Sequence, residues 1–267
     1  LDTFLKRVVD KVKGEKSTIV NDSVITEVPL TLVVNDKIFF TFHCTPQHLK
    51  ELAAGYLMSC GVINKNQDIL ECVIDEKKNT VKMQIKEHPE VVEKTTLKEP
   101  MTVKIQTIYQ IMSTNLNASE LFQKTGGVHS VAVFDQEKPM IMMEDVARHN
   151  AVDKALGYCV LNDIDCSNKI LVVSGRISAG MLSKADQAKI PMVLSKSAPT
   201  SLAIDQAEAA GITLVGFIRG EQMNIYTHPA RIDLGDNGVQ TMMKKINRFF
   251  KKYFLYLRSN NENGGLR

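Results

Sequence analysis

The chain has 267 residues, 24% of them charged and 44% hydrophobic, with a formal net charge of +3. This is an ordinary globular mix, long enough for one large domain or two modest ones. So small a basic excess argues against a nucleic-acid binder, and no apolar run approaches the ~20 residues of a membrane helix. No signal peptide is visible. The five cysteines, Cys44, Cys60, Cys72, Cys159 and Cys166, are odd in number and lack paired spacing. They read as reduced thiols of a cytoplasmic protein.

In chain order, Val28 to Val34 and Lys37 to His43 are β-branched and aromatic runs split by Asn35-Asp36, a hairpin signal. Thr45 is expected to cap a helix whose first turn holds Pro46, whose stripe is Leu49, Leu52, Ala53, Tyr56 and Leu57, and which stops at Gly61. Ile69 to Ile74 and Thr80 to Lys86 read as two strands joined by Lys77-Lys78-Asn79. Together these make a small α+β N-terminal domain, residues 1–100, closed by the polar stretch that ends at Pro100. Beyond it the pattern alternates. A helix around Val103 to Ser113, strand Ser130–Phe134, helix Ala151–Tyr158, strand Ile170–Val173 and helix Ala179–Ala188 lead to strand Met192–Leu194. Helix Ser201–Ala210 and strands Thr213–Phe217 and Met223–Thr227 complete a layered α/β domain, 101–235.

The remainder, 236–267, is a basic amphipathic helix and tail. Val239, Met242, Met243, Ile246, Phe249, Phe250, Tyr253, Phe254 and Leu257 recur at helical spacing among Lys244, Lys245, Arg248, Lys251 and Lys252. Such a helix packs on its own domain, pairs with a second copy or a partner, or lies on a membrane surface.

A dense polar knot, Glu144-Asp145-Val146-Ala147-Arg148-His149-Asn150, lies between apolar runs, Val131 to Phe134 before it and Ala151 to Leu156 after it. It forms either a satisfied internal network or the lining of a site for a polar ligand. Asp145 or Glu144 is expected to turn Arg148 or His149 toward a cavity without acting as a catalytic acid. Thr125-Gly126-Gly127 comes before a strand, so it is not a Rossmann loop; beside His129 it suggests close backbone approach around a cavity. Arg148 and Arg176 suit anionic groups, because a guanidinium grips phosphate through two parallel hydrogen bonds. Ser195, Ser197, Thr200 and Ser201 open a helix and serve as caps or as an anion site. Phe217-Ile218-Arg219-Gly220-Glu221-Gln222 is either a plain hairpin turn or a ligand loop. In the second case Phe217 would stack on a base, Arg219 would pair with a diphosphate and Gly220 would admit backbone close to it.

Several of these strings occur together in one family. Thr125-Gly126-Gly127-Val128-His129, then Glu144 to Lys154, then Ser174-Gly175-Arg176 with Ser178 and Met181, resemble the formate dehydrogenase accessory sulfurtransferase family (FdhD/NarQ). Ser195 to Ala203, Thr213 to Phe217, Asn224 to Pro229, Glu27 to Leu30 and Ala54 to Leu57 extend the resemblance from about Glu27 to Ile232. It implies a cytidine deaminase-like three-layer C-terminal domain and a homodimer. It also implies a sulfur carrier that takes persulfide sulfur from a cysteine desulfurase. By the same resemblance, the sulfur would pass to the molybdenum (or tungsten) bis(molybdopterin guanine dinucleotide) cofactor before its insertion into formate dehydrogenase. The cofactor would lie on Phe217 to Gln222, His129, Asp145, Arg148, His149 and Arg176, and GDP would be its natural fragment.

Three departures stand out. Ala147 replaces a usual glycine, and Gly180 stands where a glutamate is usual. The family's Cys-Gly-x-Cys-Gly loop, whose first cysteine bears the persulfide, is absent; Thr95-Thr96-Leu97-Lys98 stands at its place. The short, abrupt join after Thr96 points to a mobile loop omitted from this sequence. Taken literally, the absence favours a cofactor-binding chaperone without sulfur chemistry. A nucleotide-processing hydrolase is the more distant rival. It would need zinc, and the sequence lacks the paired thiolates of zinc deaminases, so no metal is expected on the protein's own side chains.

Overall fold

The computed structural model describes residues 1–87 and 101–235. The connection around Thr95 to Lys98, the domain boundary near residue 100 and the basic helix Val239–Leu257 therefore lie outside the described residues. The first element is one with no counterpart among the predicted elements. Strands β1 (Phe4–Lys13) and β2 (Lys16–Ile25) pair antiparallel as a ribbon. Polar residues interleave on both of its faces, which blurs the period-two signal of a strand.

The predicted hairpin follows as β3 (Val28–Val34) and β4 (Lys37–Cys44). Asn35 (φ 46) and Asp36 (φ 63) supply the two left-handed residues that a tight hairpin turn requires. Strands β5 (Ile69–Asp75) and β6 (Thr80–Ile85) complete a sheet of order β4-β3-β6-β5, in which β3 and β6 run parallel. Helix α1 (Leu49–Ser59) starts later than expected. His48, not Thr45, precedes its first turn, in a left-handed conformation and with no side-chain cap. The Thr45 hydroxyl is engaged elsewhere, as described below.

Past the undescribed stretch come β7 (Val103–Lys104), α2 (Ile105–Asn117) and α3 (Glu120–Thr125). The expected helix at Val103 thus begins two residues later, because Val103 and Lys104 pair as strand with β14 (Ile232–Asp233). A six-stranded sheet follows, of order β13-β12-β11-β10-β8-β9. Its strands are β8 (His129–Asp135), β9 (Lys138–Asp145), β10 (Ile170–Val173), β11 (Met192–Ser195), β12 (Thr213–Arg219) and β13 (Gln222–Ile225). Helices α4 (Arg148–Leu161), α5 (Ala179–Gln187) and α6 (Ser201–Ala210) connect them. Strand alternation sorts the side chains into two cores. Val131 and Val133 join Leu171, Val173, Val193 and Leu214 under α4, α5 and α6, while Ala132 and Phe134 join Val172 and Leu194 against α2.

The first of these cores runs without a break into the N-terminal sheet, through Leu30, Leu32, Phe42, Val81 and Met83. Helices α1 and α4 cross there with their backbones in near contact. A Cβ on Gly55 would collide with the Asp153 carbonyl, and one on Gly157 with the Glu51 carbonyl. Among the described residues, no helix is long and apolar enough to cross a membrane.

Candidate functional site

Strands β10, β11 and β12 run parallel, β8 is antiparallel to β10, and β9 is antiparallel to β8. The carboxyl ends of β9 to β12 and the start of β8 therefore share one edge of the sheet. Helices α4, α5 and α6 leave from that edge, with their amino ends turned toward it. In open α/β sheets this is where ligands bind, and helix amino ends favour anions. Topology thus gathers onto one edge residues far apart in sequence: His129, Arg148, His149, Arg176, Phe217 and Arg219.

Beneath the edge lies a buried support. Asp145 and Lys154 are both 0% exposed, and the Lys154 Nζ sits 2.6 Å from Asp145 Oδ2. The same carboxylate accepts from the Thr45 amide (3.1 Å), the Ala147 amide (2.8 Å) and the Asn150 side chain (3.1 Å). Lys154 also donates to the carbonyls of Thr45 and Glu144, at 3.1 and 3.3 Å. Asn150 reaches the His43 carbonyl at 2.8 Å, and the Thr45 hydroxyl accepts from the Val146 amide at 3.1 Å. The network thus ties the end of β4 to the turn between β9 and α4. Glu144 does a different job: its carboxylate accepts from the Ser119 hydroxyl (2.6 Å) and the Leu121 and Phe122 amides at the start of α3. Those amides are orphan donors of a helix start, and the negative charge suits them.

The expected role for these two carboxylates is therefore corrected. Their oxygens hold Lys154, backbone amides, Asn150 and Ser119, and neither orients Arg148 or His149. Buried without exposure, Asp145 belongs to the support and not to the surface of the edge. A carboxylate in that position needs a full set of donors, and the chain supplies them.

Above the support, His129 pairs across the β8–β9 hairpin with Asp145 and lies against Gly175, where a side chain would come within 3.1 Å of Nδ1. Burial holds the His129 imidazole below its usual pKa, helped by the Arg148 charge. His149 is lowered in the same way, by burial first and then by Arg148 and Lys184. Its Nε2 lies 3.4 Å from the Ser178 hydroxyl, which joins the start of α4 to that of α5. Both rings thus favour their neutral form beside the Arg148 guanidinium. The Nε of Arg148 is buried and makes no hydrogen bond. Such an orphan donor fits an anion or a polar group arriving at this edge.

The loops after β10 and β11 are stitched together. Ser130 and Ser174 exchange hydrogen bonds, Ser195 donates to the Gly175 carbonyl at 2.8 Å, and the Ser197 amide donates back to Ser195 at 2.9 Å. Of the expected caps, Thr200 does cap α6, accepting from the Ala203 amide at 3.3 Å. Ser195 instead ends β11 and locks the neighbouring loop. Arg176 and Lys196 project exposed from the two loops.

At the next strand the register of β12 on β13 slips between Gly216 and Arg219. A Cβ on Gly216 would meet the Ser197 carbonyl oxygen at 2.9 Å. Phe217 follows with φ 54, a left-handed conformation that a phenylalanine rarely holds. The bulge leaves Phe217 38% exposed, with the Arg219 guanidinium 6.0 Å from its ring centroid. Bulges and strained residues of this kind cluster beside binding sites. The segment contains the hairpin turn of the first reading. Gly220 (φ 54) and Glu221 form the hairpin turn, while Phe217 and Arg219 belong to the bulged strand before it. Ile218 is 1% exposed in the core beneath α2, on the opposite side of the strand from Phe217.

Sequence reasoning missed Lys154, Thr45 and the bulge. Lys154 carried a signal, since it shares a helix face with the buried Asn150 and Ala151, where a charge needs a buried partner. The bulge carried none.

Comparison with known proteins matches this arrangement to one family. FdhD/NarQ matches residues 25–99 and 83–233, two stretches that overlap at the undescribed connection. The chain is similar to the sulfur carrier protein FdhD of Bacillus pumilus, 39% identical over 253 positions, 85% of this chain and 97% of the relative. The FdhD of Bacillus subtilis is also 39% identical, over 82% of this chain and 94% of its own. Among solved structures, a formate dehydrogenase accessory protein from Desulfotalea psychrophila superimposes with a TM-score of 0.78. It is 25% identical and covers 87% of this chain and 100% of its own. The chain belongs to the FdhD/NarQ family.

Proposed function

We propose that this protein is a cytoplasmic sulfur carrier in formate dehydrogenase maturation. It binds the molybdenum or tungsten bis(molybdopterin guanine dinucleotide) cofactor as its substrate and passes on persulfide sulfur received from a cysteine desulfurase. The observation that carries the reading is the 39% identity, over nearly the whole relative, to proteins named as sulfur carriers. The edge described above supports the ligand class. Phe217 offers a face to a guanine base, Arg219 and Arg176 offer exposed charge to a diphosphate, and the Nε of Arg148 lacks a partner. The helix-flanked six-stranded sheet supports a cytidine deaminase-like architecture, and a homodimer completes the proposal.

Sulfur transfer needs a thiolate that both donor and acceptor can reach. Cys44 is buried, and burial pushes its thiol up to about 12; Cys60 and Cys72 are raised as well, again by burial. None is at the edge. A second reading, a cofactor-binding chaperone, is favoured by a sequence that holds no Cys-x-x-Cys. Intact mass spectrometry separates the two. After incubation with a cysteine desulfurase and cysteine, the carrier gains the mass of one sulfur atom, and dithiothreitol removes it. A mass that never changes leaves the chaperone.

The ligand is tested separately by calorimetry with GDP. Arg219→Ala is expected to weaken binding by about 1.5–3 kcal/mol, the worth of a hydrogen bond to a charged group. Equal GDP affinity for variant and wild type would remove Arg219 from the site.

A further inference from the structure

Strands β1 and β2 form a sheet of their own, paired from Phe4↔Ile25 at the base to Lys13↔Lys16 beside the Gly14-Glu15 turn. The base is anchored, because Ile25 lies so close to Gly127 that a Cβ there would meet its Cγ2 at 2.8 Å. Farther out, Val8 is 72% exposed, Val12 67% and Ile19 75%, and these three share one face of the ribbon with Lys6 and Asp10. An isolated two-stranded ribbon is marginally stable at best in water; three or more strands with an apolar face give independent stability.

The turn decides which backbone groups of β1 are free. In a two-residue hairpin the residues flanking the turn form a hydrogen-bonded pair, and such pairs alternate along the ladder. Lys13 and the other odd residues therefore bond to β2, as does Thr3 at the base, whose carbonyl accepts from the Thr26 amide at 2.9 Å. The amides and carbonyls of Phe4, Lys6, Val8, Asp10 and Val12 are turned to the outer edge of β1. Among the described residues no other strand pairs with that edge. Such an edge is a template for a further strand.

We propose that this strand is the same edge of a second copy, with the two β1 strands antiparallel across a two-fold axis at Val8. The order of side chains selects both occupant and register. With Val8 opposite Val8 of the partner subunit, Lys6 faces Asp10 of the partner subunit and Phe4 faces Val12 of the partner subunit. One pairing step either way sets Lys6 against Val8 or Val12, and Asp10 against Phe4 or Val8, and loses both charge matches. Lys6 already holds its head on this face, with Nζ 2.7 Å from the Ser23 hydroxyl. Opposite charges directly across a ladder stabilise it, and two-fold symmetry makes each match twice. The product is one four-stranded sheet, which satisfies both open β1 edges. It names the contact surface of the homodimer proposed above and does not depend on the sulfur chemistry.

The test is the mass of the reduced full chain by sedimentation velocity over a range of loading concentrations. The wild type is expected at twice 29.8 kDa. Lys6→Asp sets like charges opposite each other and should weaken the dimer about tenfold or more; adding Asp10→Lys should restore it. On oxidation, Val8→Cys should give a dimer whose disulfide maps to residue 8, whereas Lys13→Cys should not cross-link at residue 13. Lys6, Val8, Asp10 and Lys13 are all exposed, so these variants keep the fold, which circular dichroism checks. A dimer that withstands Lys6→Asp and does not cross-link at residue 8 overturns the proposal and leaves a homodimer through another face. A wild type that stays monomeric at every concentration overturns both, and protection of its Val8 amide from hydrogen exchange would place another segment of the same chain on the edge.

Discussion

Replacing Asp145 by asparagine keeps the size of the side chain and removes its charge, leaving the Lys154 ammonium buried with no counter-ion. Lys154 is 0% exposed, so water cannot take over the lost interaction. Two carbonyl acceptors remain for it, from Thr45 and Glu144, but neither is charged. Breaking a buried pair by removing one partner costs about 3–5 kcal/mol. At about 2–4 °C per kcal/mol for a chain of this size, the melting temperature should fall by about 6–20 °C. Thermal unfolding followed by circular dichroism at neutral pH measures this directly. Adding Lys154→Met to the variant should recover part of the loss, because neither charge is then left buried and alone. Should Asp145→Asn melt within about 2 °C of wild type while losing GDP binding, the support assignment fails and Asp145 belongs to the ligand surface.

Gly157→Ala tests the crossing of α1 and α4. The new methyl would run into the Glu51 carbonyl, so the helices must separate, and little folded protein should survive on size-exclusion chromatography. A normal melt would show that the helices are not held this closely. Thr200→Ala removes the acceptor for the Ala203 amide at the start of α6 and should cost about 1 kcal/mol in a urea titration, with no change in the slope. For the histidines, the folded-state pKa values of His129 and His149 both lie below the ordinary 6.5. The unfolded chain then binds their protons more tightly. The stability gained by keeping them neutral is full above pH 6.5 and is lost as the pH falls through their folded values. Melting temperatures should decline in that window, and His129→Gln with His149→Gln should flatten the decline; an unchanged slope would place the titration on other groups.

The sequence by itself determined the regular elements of the parallel half of the sheet, because their signals are local. Ile170–Val173 and Ser201–Ala210 were legible to the residue, the first from an apolar run and the second from the hydroxyl residues Ser195, Ser197, Thr200 and Ser201 that open it. The Asn35-Asp36 turn was legible for the same reason. It also determined the family, since the motifs carry it in order. What tertiary structure alone decided is which polar groups face inward. Nothing local to Asp145 says that its carboxylate will meet Lys154 nine residues on and the Thr45 amide a hundred residues back. Thr45 read as a helix cap because that is the commonest local use of a threonine before proline, and a distant amide, that of Val146, claimed its hydroxyl instead. The β1–β2 ribbon and the bulge at Phe217 were hidden as well: the first mixes polar residues into both faces, and the second begins at Gly216, where the Ser197 carbonyl of the loop after β11 leaves no room for a side chain. Periodicity reports how a segment divides between solvent and core, whereas the pairing of buried charges and the strain in a strand depend on chains that meet only after folding.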